Sequence, residues 1–182
     1  KSVELIFQEK FTAHRASNTK LLPALDKLLK DAEVAPRQLA CVICGKGPGS
    51  FTGVRIALST AKGIATSLTI PLIPVSTLDA VAWTAKNAGY TGNLLVVADA
   101  MRHEVYPAYF ELGEDDVQRI SPDTVIKLER FLHPPVISSE VEKSLLSPKP
   151  YISGDALRKY HNEFKELGEL LPEELWECTA WD

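Results

Sequence analysis

Leu39-Ala40-Cys41-Val42-Ile43-Cys44 is an unbroken apolar run, stopped at once by Gly45-Lys46-Gly47-Pro48-Gly49. A run this short, with β-branched residues and a glycine stop, reads as a buried central strand. A strand covered on both faces needs further layers, and helices supply them in an α/β architecture. The flanking segments agree. Leu21, Leu22, Leu25, Leu28, Leu29 and Ala32 fall on one helical stripe, predicting a helix over 18–32 with Ser17 or Asn18 as cap. Pro23 falls early enough in it to be tolerated, and Lys27 and Lys30 suit its closing turns. Ser50 caps a second helix over 51–68, a strand follows at 71–75, and Ser76-Thr77-Leu78-Asp79 approximates a capping box before a third helix. Upstream, Val3, Leu5 and Phe7 alternate with Ser2, Glu4, Ile6 and Gln8, as in a half-buried strand. Downstream, Leu94–Ala98 is another buried strand ending at Asp99, with Arg102–Glu111 as its antiparallel neighbour. Residues 133–150 hold Pro134, Pro135, Pro148 and Pro150 and read as surface connections. Tyr151–Ser153 reads as a short strand, leading through Gly154-Asp155 into a helix over 156–167.

Length and composition limit the function classes. A chain of 182 residues, 45% hydrophobic and 24% charged, suits one large domain or two small lobes. No apolar run reaches a membrane span and no signal-like segment opens the sequence. Three cysteines, an odd count, suit a reducing cytoplasm. Charge is uneven: residues 1–62 hold ten Lys/Arg against five Asp/Glu, and 63–182 hold ten against nineteen, which together give the net −4. An acidic chain is a poor nucleic-acid binder alone, because phosphate neutralisation supplies most of that affinity.

The glycine loop, Gly45 to Arg55, invites comparison with phosphate cradles at helix N-termini. Its spacings fit neither the P-loop, since Val54 and Arg55 follow Gly53, nor the dinucleotide pattern, which meets Ser50 or Thr52 where glycine is required. A tight strand-to-helix turn is the alternative. Gly53, Ala57, Ala61 and Ala65 recur every four residues. Such a seam suits close helix approach, either by an outside partner or by the protein's own sheet. Cys41-x-x-Cys44 has redox spacing but lies within a strand, where residues three apart face opposite ways. His14, His103, His133 and His161 share no metal-ligand spacing. Asp99 closes a strand, where it either serves chemistry or caps the turn. Gly154-Asp155 is either a ligand contact or a turn.

The stretch Gly47-Pro48-Gly49-Ser50-Phe51-Thr52-Gly53-Val54-Arg55-Ile56, with Ala61-Lys62-Gly63, Pro71-Leu72, Val75-Ser76 and Asp99 to Tyr106, resembles the TsaB (YeaZ) family of tRNA threonylcarbamoyladenosine biosynthesis. The resemblance covers roughly residues 14–110. It implies an ASKHA fold, related to actin and ribonuclease H, with two related lobes, set here at 1–90 and 91–182, and with the family's first strand and its Asp-Thr-Ser loop absent from this chain. It implies a non-catalytic subunit that binds a catalytic paralogue, TsaD, through helices 18–32 and 51–68, with an ATPase, TsaE, as a further partner and tRNA reached only through the complex. Leu21, Leu25, Gly49, Ser50, Phe51, Thr52, Gly53, Arg55, Ala57 and Ala61 are then the interface. The paralogue's metal-binding His pair would fall near His14, and Asn18 takes the second place, so no metal site is expected. No cofactor is held tightly; ATP or ADP is placed at the interface of the assembled complex. A homodimer through the same face is the other association state. Older glycoprotease names find no nucleophile–base pair here. The competing reading is an independent ATPase or kinase of the same fold, using Asp99, Arg102, Gly154 and Asp155 for nucleotide.

Overall fold

The computed structural model describes residues 5–10, 17–133 and 149–178. They form two compact units, Lys1–Val75 and Ser76–Asp182. The division comes earlier than the lobe boundary read after residue 90, because the helix that follows Ser76 packs on the strands of the second unit.

In the first unit, α1 (Ser17–Asp31) runs through Pro23 in its second turn. Lys27 and Lys30 pair with Asp31 at 3.1 Å and Asp26 at 2.6 Å on its exposed side. Each such pair contributes only about 0.3–0.5 kcal/mol. A short 3-10 turn at Pro36–Gln38 leads to β1 (Val42–Gly45). The glycine loop follows, then α2 (Phe51–Leu68) and β2 (Leu72–Val75). β1 and β2 are parallel, with Ile43 opposite Ile73 and Cys44 opposite Pro74. Thr69, left-handed at φ 56°, closes α2.

Two expectations fail here. The apolar run is not a buried central strand: among the described residues β1 pairs with β2 alone, in a two-stranded sheet. Only the face carrying Cys44 is covered, while Ile43 is 65% and Ile73 44% exposed. An apolar run records what the residues tolerate, and how many strands flank it is decided elsewhere in the chain. Nor does the segment read as a strand at 3–8 form one over its described part. Leu5–Lys10 is irregular and exposed, and a strand exists only by pairing. Val3 and Glu4 lie outside the described residues, as does most of 133–150.

The second unit starts with α3 (Thr77–Asn87). Ser76 precedes it but makes no cap: its hydroxyl is buried without a hydrogen-bond partner. The box needs a side chain at the third helical position that reaches back. Asp79, which stands there, instead accepts from the Arg119 guanidinium at 2.9 Å. Then come β3 (Gly92–Asp99), β4 (Glu104–Leu112), β5 (Val117–Arg119), β6 (Ile126–Lys127) and α4 (Leu128–Leu132). After the segment outside the described residues come β7 (Tyr151–Ser153), α5 (Leu157–Lys165), β8 (Glu169–Leu170) and a 3-10 turn at Glu173–Leu175. The sheet order is β5-β4-β3-β7-β8, with β6 also on β4. β3 is antiparallel to β4 and parallel to β7.

β3 is the expected buried strand. Leu94, Val96 and Ala98 face α3's Leu78, Val81, Ala82 and Ala85. Leu95 and Val97 face α5's Leu157, Tyr160 and Phe164 together with Trp176. Residues alternate between two covered faces, so the run is apolar throughout. Each large side chain fully buried this way contributes about 2 kcal/mol. The Ser153 hydroxyl donates to the Leu175 carbonyl and the Trp176 indole N–H to that of Leu171, which fixes the C-terminal turn over this face.

Candidate functional site

On the first unit, α1 and α2 contact each other. Between them and β1 lies a groove of about 530 Å³ lined by Leu21, Leu25 and Leu29 of α1, Ala57, Ala61 and Ile64 of α2, and both Cys41 and Cys44. None of the five stripe leucines Leu21, Leu22, Leu25, Leu28 and Leu29 is fully buried, and Leu22 is exposed. Burial pushes the Cys44 thiol up, away from thiolate chemistry. Neither Cys41 nor Cys44 is in a disulfide.

The small-residue seam faces inward. Ala61 and Ala65 are each 5% exposed, on the side of α2 that packs against β1, and Gly53 and Ala57 are half-buried. The seam therefore serves the protein's own packing, and Ala61 lies at the bottom of the groove rather than on a free surface. What α2 presents outward is its first turn. Phe51 is 70% exposed, and the Arg55 guanidinium sits 3.9 Å above its ring. That stack joins an aromatic to a weakly hydrated planar cation, one turn apart. Ser50 caps the helix by accepting from the Gly53 N–H at 3.3 Å, and Gly49, Ser50 and Thr52 are exposed beside it. Leu21, Leu25 and Ala57 line the groove; Gly49 and Ser50 precede α2, and Phe51 to Arg55 open it.

On the second unit, Asp99, Gly154 and Asp155 come together at the carboxyl ends of the adjacent parallel strands β3 and β7. The Asp155 carboxylate accepts the Asp99 N–H at 2.9 Å, and the Asp99 carboxylate accepts the Met101 N–H at 3.0 Å. Lys159 reaches Asp99 at 3.6 Å. Gly154, at φ +118°, lies against the Val97 backbone. Arg102 stands apart, exposed in a turn where Met101, Arg102 and His103 are all left-handed, at φ 64°, 51° and 61°. Three such residues in a row cost about 1 kcal/mol or more each. They are held by Ala100 N–H to the Glu104 carbonyl, Glu104 N–H to that of Met101 and Leu128 N–H to that of His103. Asp99 marks the entry to this turn in the sequence and caps it by accepting the Met101 N–H, but without Gly or Asn the three left-handed residues in a row are not announced. Lys159 was missed too, although Asp155 and Lys159 stand one helical turn apart. The hydroxyl of Tyr160, at a kink in α5, is buried without a hydrogen-bond partner. Among the described residues no three His, Cys, Asp or Glu side chains gather to hold a metal, and no helix is long and apolar enough to cross a membrane. His14 and the Asn18 side chain lie outside the described residues.

Burial raises the Asp155 carboxyl above its ordinary value; the Asp99 N–H opposes this and the Asp99 charge adds to it. A carboxyl raised in the folded state binds its proton more tightly there. Its contribution is fully present below the unfolded value, near 4, and is lost as pH rises through the folded one. Asp155→Asn keeps the acceptor for Asp99 and removes the titration. The melting temperature of the native chain relative to Asp155→Asn should therefore fall as pH rises from about 4. A difference that stays flat from pH 3.5 to 7 by calorimetry would contradict this account.

The family model described as TsaD, tRNA N6-adenosine threonylcarbamoyltransferase, matches residues 11–168. The tRNA threonylcarbamoyladenosine biosynthesis protein TsaB of Bacillus subtilis is 35% identical over 115 residues, 63% of this chain and 49% of that protein. TsaB of Escherichia coli is 33% identical over 103 residues, 57% of this chain and 45% of that protein. The chain thus spans about half the length of the curated relatives it matches. The solved structure of YeaZ from Pseudomonas aeruginosa superposes with a TM-score of 0.65 at 25% identity, covering 86% of this chain and 70% of that one. The fold is the ASKHA type that the resemblance implied. A family match over most of the chain, together with these relatives and this structural likeness, makes the protein a member of the TsaB/YeaZ group within the threonylcarbamoyltransferase family.

Proposed function

We propose that the chain is a non-catalytic subunit in the formation of tRNA threonylcarbamoyladenosine. It holds a TsaD-like catalytic paralogue against α1 and the first turn of α2. A TsaE-like ATPase joins the assembly, nucleotide binds at the assembled interface, and the work is done in the cytoplasm. The observation that carries this reading is what α1 and α2 leave open: an aliphatic groove between them, and an exposed Phe51–Arg55 stack at the start of α2. Aromatic and arginine side chains are enriched in protein interfaces. The names of the relatives supply the pathway. The net charge of −4 favours a protein partner over direct tRNA binding. The test is to mix the chain with the TsaD-like paralogue of the same organism and measure mass by light scattering across a column. A one-to-one complex is expected. Two separate species, with nucleotide and the ATPase also present, would sink the reading.

A further inference from the structure

We propose that one end of the second unit, formed by the Met101–His103 turn, β6 and α4, is a contact surface for the phosphodiester backbone of the RNA substrate. This rests on the subunit reading above: the paralogue holds the RNA, and this end adds charge contacts to it. The second unit is acidic, with ten Lys/Arg against nineteen Asp/Glu. Several of its cations are tied up within it. Arg119 holds Asp79 and Asp123, Arg158 holds Glu173 and Glu177, Lys159 reaches Asp99, and Lys86 donates to the Glu114 carbonyl. Among the described residues of this unit, the side chains of Arg102, Lys127, Arg130, Lys149 and Lys165 make no ion pair or hydrogen bond.

Arg102, Lys127 and Arg130 stand together. The Leu128 N–H donates to the His103 carbonyl at 2.9 Å, and Ile126 and Lys127 pair with Val105 and Glu104. Lys127, Arg130 and His133 line an open pocket of about 530 Å³ with Glu104 and Glu129. Glu104 stands opposite Lys127 in the ladder and Glu129 adjoins Arg130, yet neither carboxylate forms an ion pair. Asp99, at the entry to the turn, has Lys159 as its counter-ion. Arg102, Lys127 and Arg130 against Glu104 and Glu129 leave this end at +1, with His103 and His133 exposed beside it, in a unit that totals −9. The three left-handed residues hold Arg102 out at the tip of the turn, and strained backbone is retained where function needs a group aimed. Separate, exposed cations match the spaced single charges of a phosphodiester chain, which they bind without reading its sequence. Protein interfaces instead deplete lysine and concentrate aromatics, and among the described residues no Phe, Tyr or Trp is exposed at this end, unlike the start of α2. The net −4 keeps the free chain from holding RNA by itself; the contact forms once the paralogue brings it.

The test uses the complex with the TsaD-like paralogue, established first by light scattering, and tRNA binding by fluorescence anisotropy from about 50 to 200 mM salt. Arg102→Ala/Lys127→Ala/Arg130→Ala should lower the slope of log affinity against log salt by about 2, since each lost phosphate contact removes about 0.7–0.9. The fourfold rise in salt then weakens the native complex roughly fifteenfold more than the variant. Arg130→Ala alone should lower the slope by about 0.8, which covers the case of a triple variant that loosens the unit. Lys149→Ala/Lys165→Ala removes unpaired cations elsewhere on the unit and should leave the slope in place. Equal slopes for the native chain and the triple variant would overturn the inference, as would a control that lowers the slope as much as the triple variant does. A triple variant that no longer joins the paralogue, where the native chain does, would make this end a protein contact and overturn the RNA assignment. No complex with the native chain would overturn the subunit reading, and this inference with it.

Discussion

Gly154→Ala should unfold the second unit at a temperature roughly 20 °C lower than the native chain, a loss on the order of 4 kcal/mol. Two penalties add. The φ of +118° is one that only glycine adopts without strain. A Cβ there would also sit 2.7 Å from the carbonyl carbon and 2.8 Å from the nitrogen of Val97, in the middle of the buried strand β3. Backbone at the centre of a sheet cannot step aside as the end of a flexible side chain would. The same turn carries the Ala156 N–H to the Val97 carbonyl and the Asp155 link to Asp99, so moving the chain at 154 breaks both. Gly89→Ala is the control. Its φ is +94°, but a Cβ there meets nothing within 4 Å, and it should cost only about 1 kcal/mol. Thermal melts of the two variants that coincide would show that the close approach at Val97 carries no weight.

Phe51→Glu should weaken association with the TsaD-like paralogue at least thirtyfold, about 2 kcal/mol, while leaving the amide-exchange protection of α2 in place. The side chain is 70% exposed at the first residue of α2, so the fold loses little packing. A carboxylate in the first turn of a helix is favourable to the helix itself. Only an interface that buries the ring would register the change, by losing an aromatic anchor and gaining a charge to desolvate. Arg55→Ala, which removes the other half of the stack, should give a smaller loss in the same direction. Affinities by calorimetry that match the native chain for both variants would remove the first turn of α2 from the contact.

Ala61→Glu, the substitution that the small-residue spacing suggests, would mislead. Ala61 is buried in the groove, so a glutamate there would damage the first unit whether or not a partner binds it. This marks the limit of what was legible. Ser50 and the helix it caps, Phe51 to Leu68, were readable because cap and periodicity are local. So were β3 and its antiparallel partner β4. The direction of the seam was not, since four-residue spacing fixes one face of a helix without saying what covers it. The exposure of β1 was unreadable for the same reason. The left-handed run at Met101–His103 is held in part by a hydrogen bond from Leu128, far along the chain, which the local sequence does not announce. Asp99 and Asp155 were legible as neighbours of strand ends, but the bond from the Asp99 N–H to the Asp155 carboxylate was not.

The two units differ in what they hide. Among the described residues, the first buries Cys44, Gly47, Ala61 and Ala65, all small, while the second buries Phe110, Phe164, Leu94, Leu95, Ile152 and Leu157. Heat capacity and denaturant sensitivity scale with the apolar surface released on unfolding. The first unit therefore gives a shallow transition with little enthalpy, and the second a steep one. A single midpoint fitted to a melt of the whole chain reports the second unit almost alone, and a change confined to the α1/α2 face passes beneath it unseen.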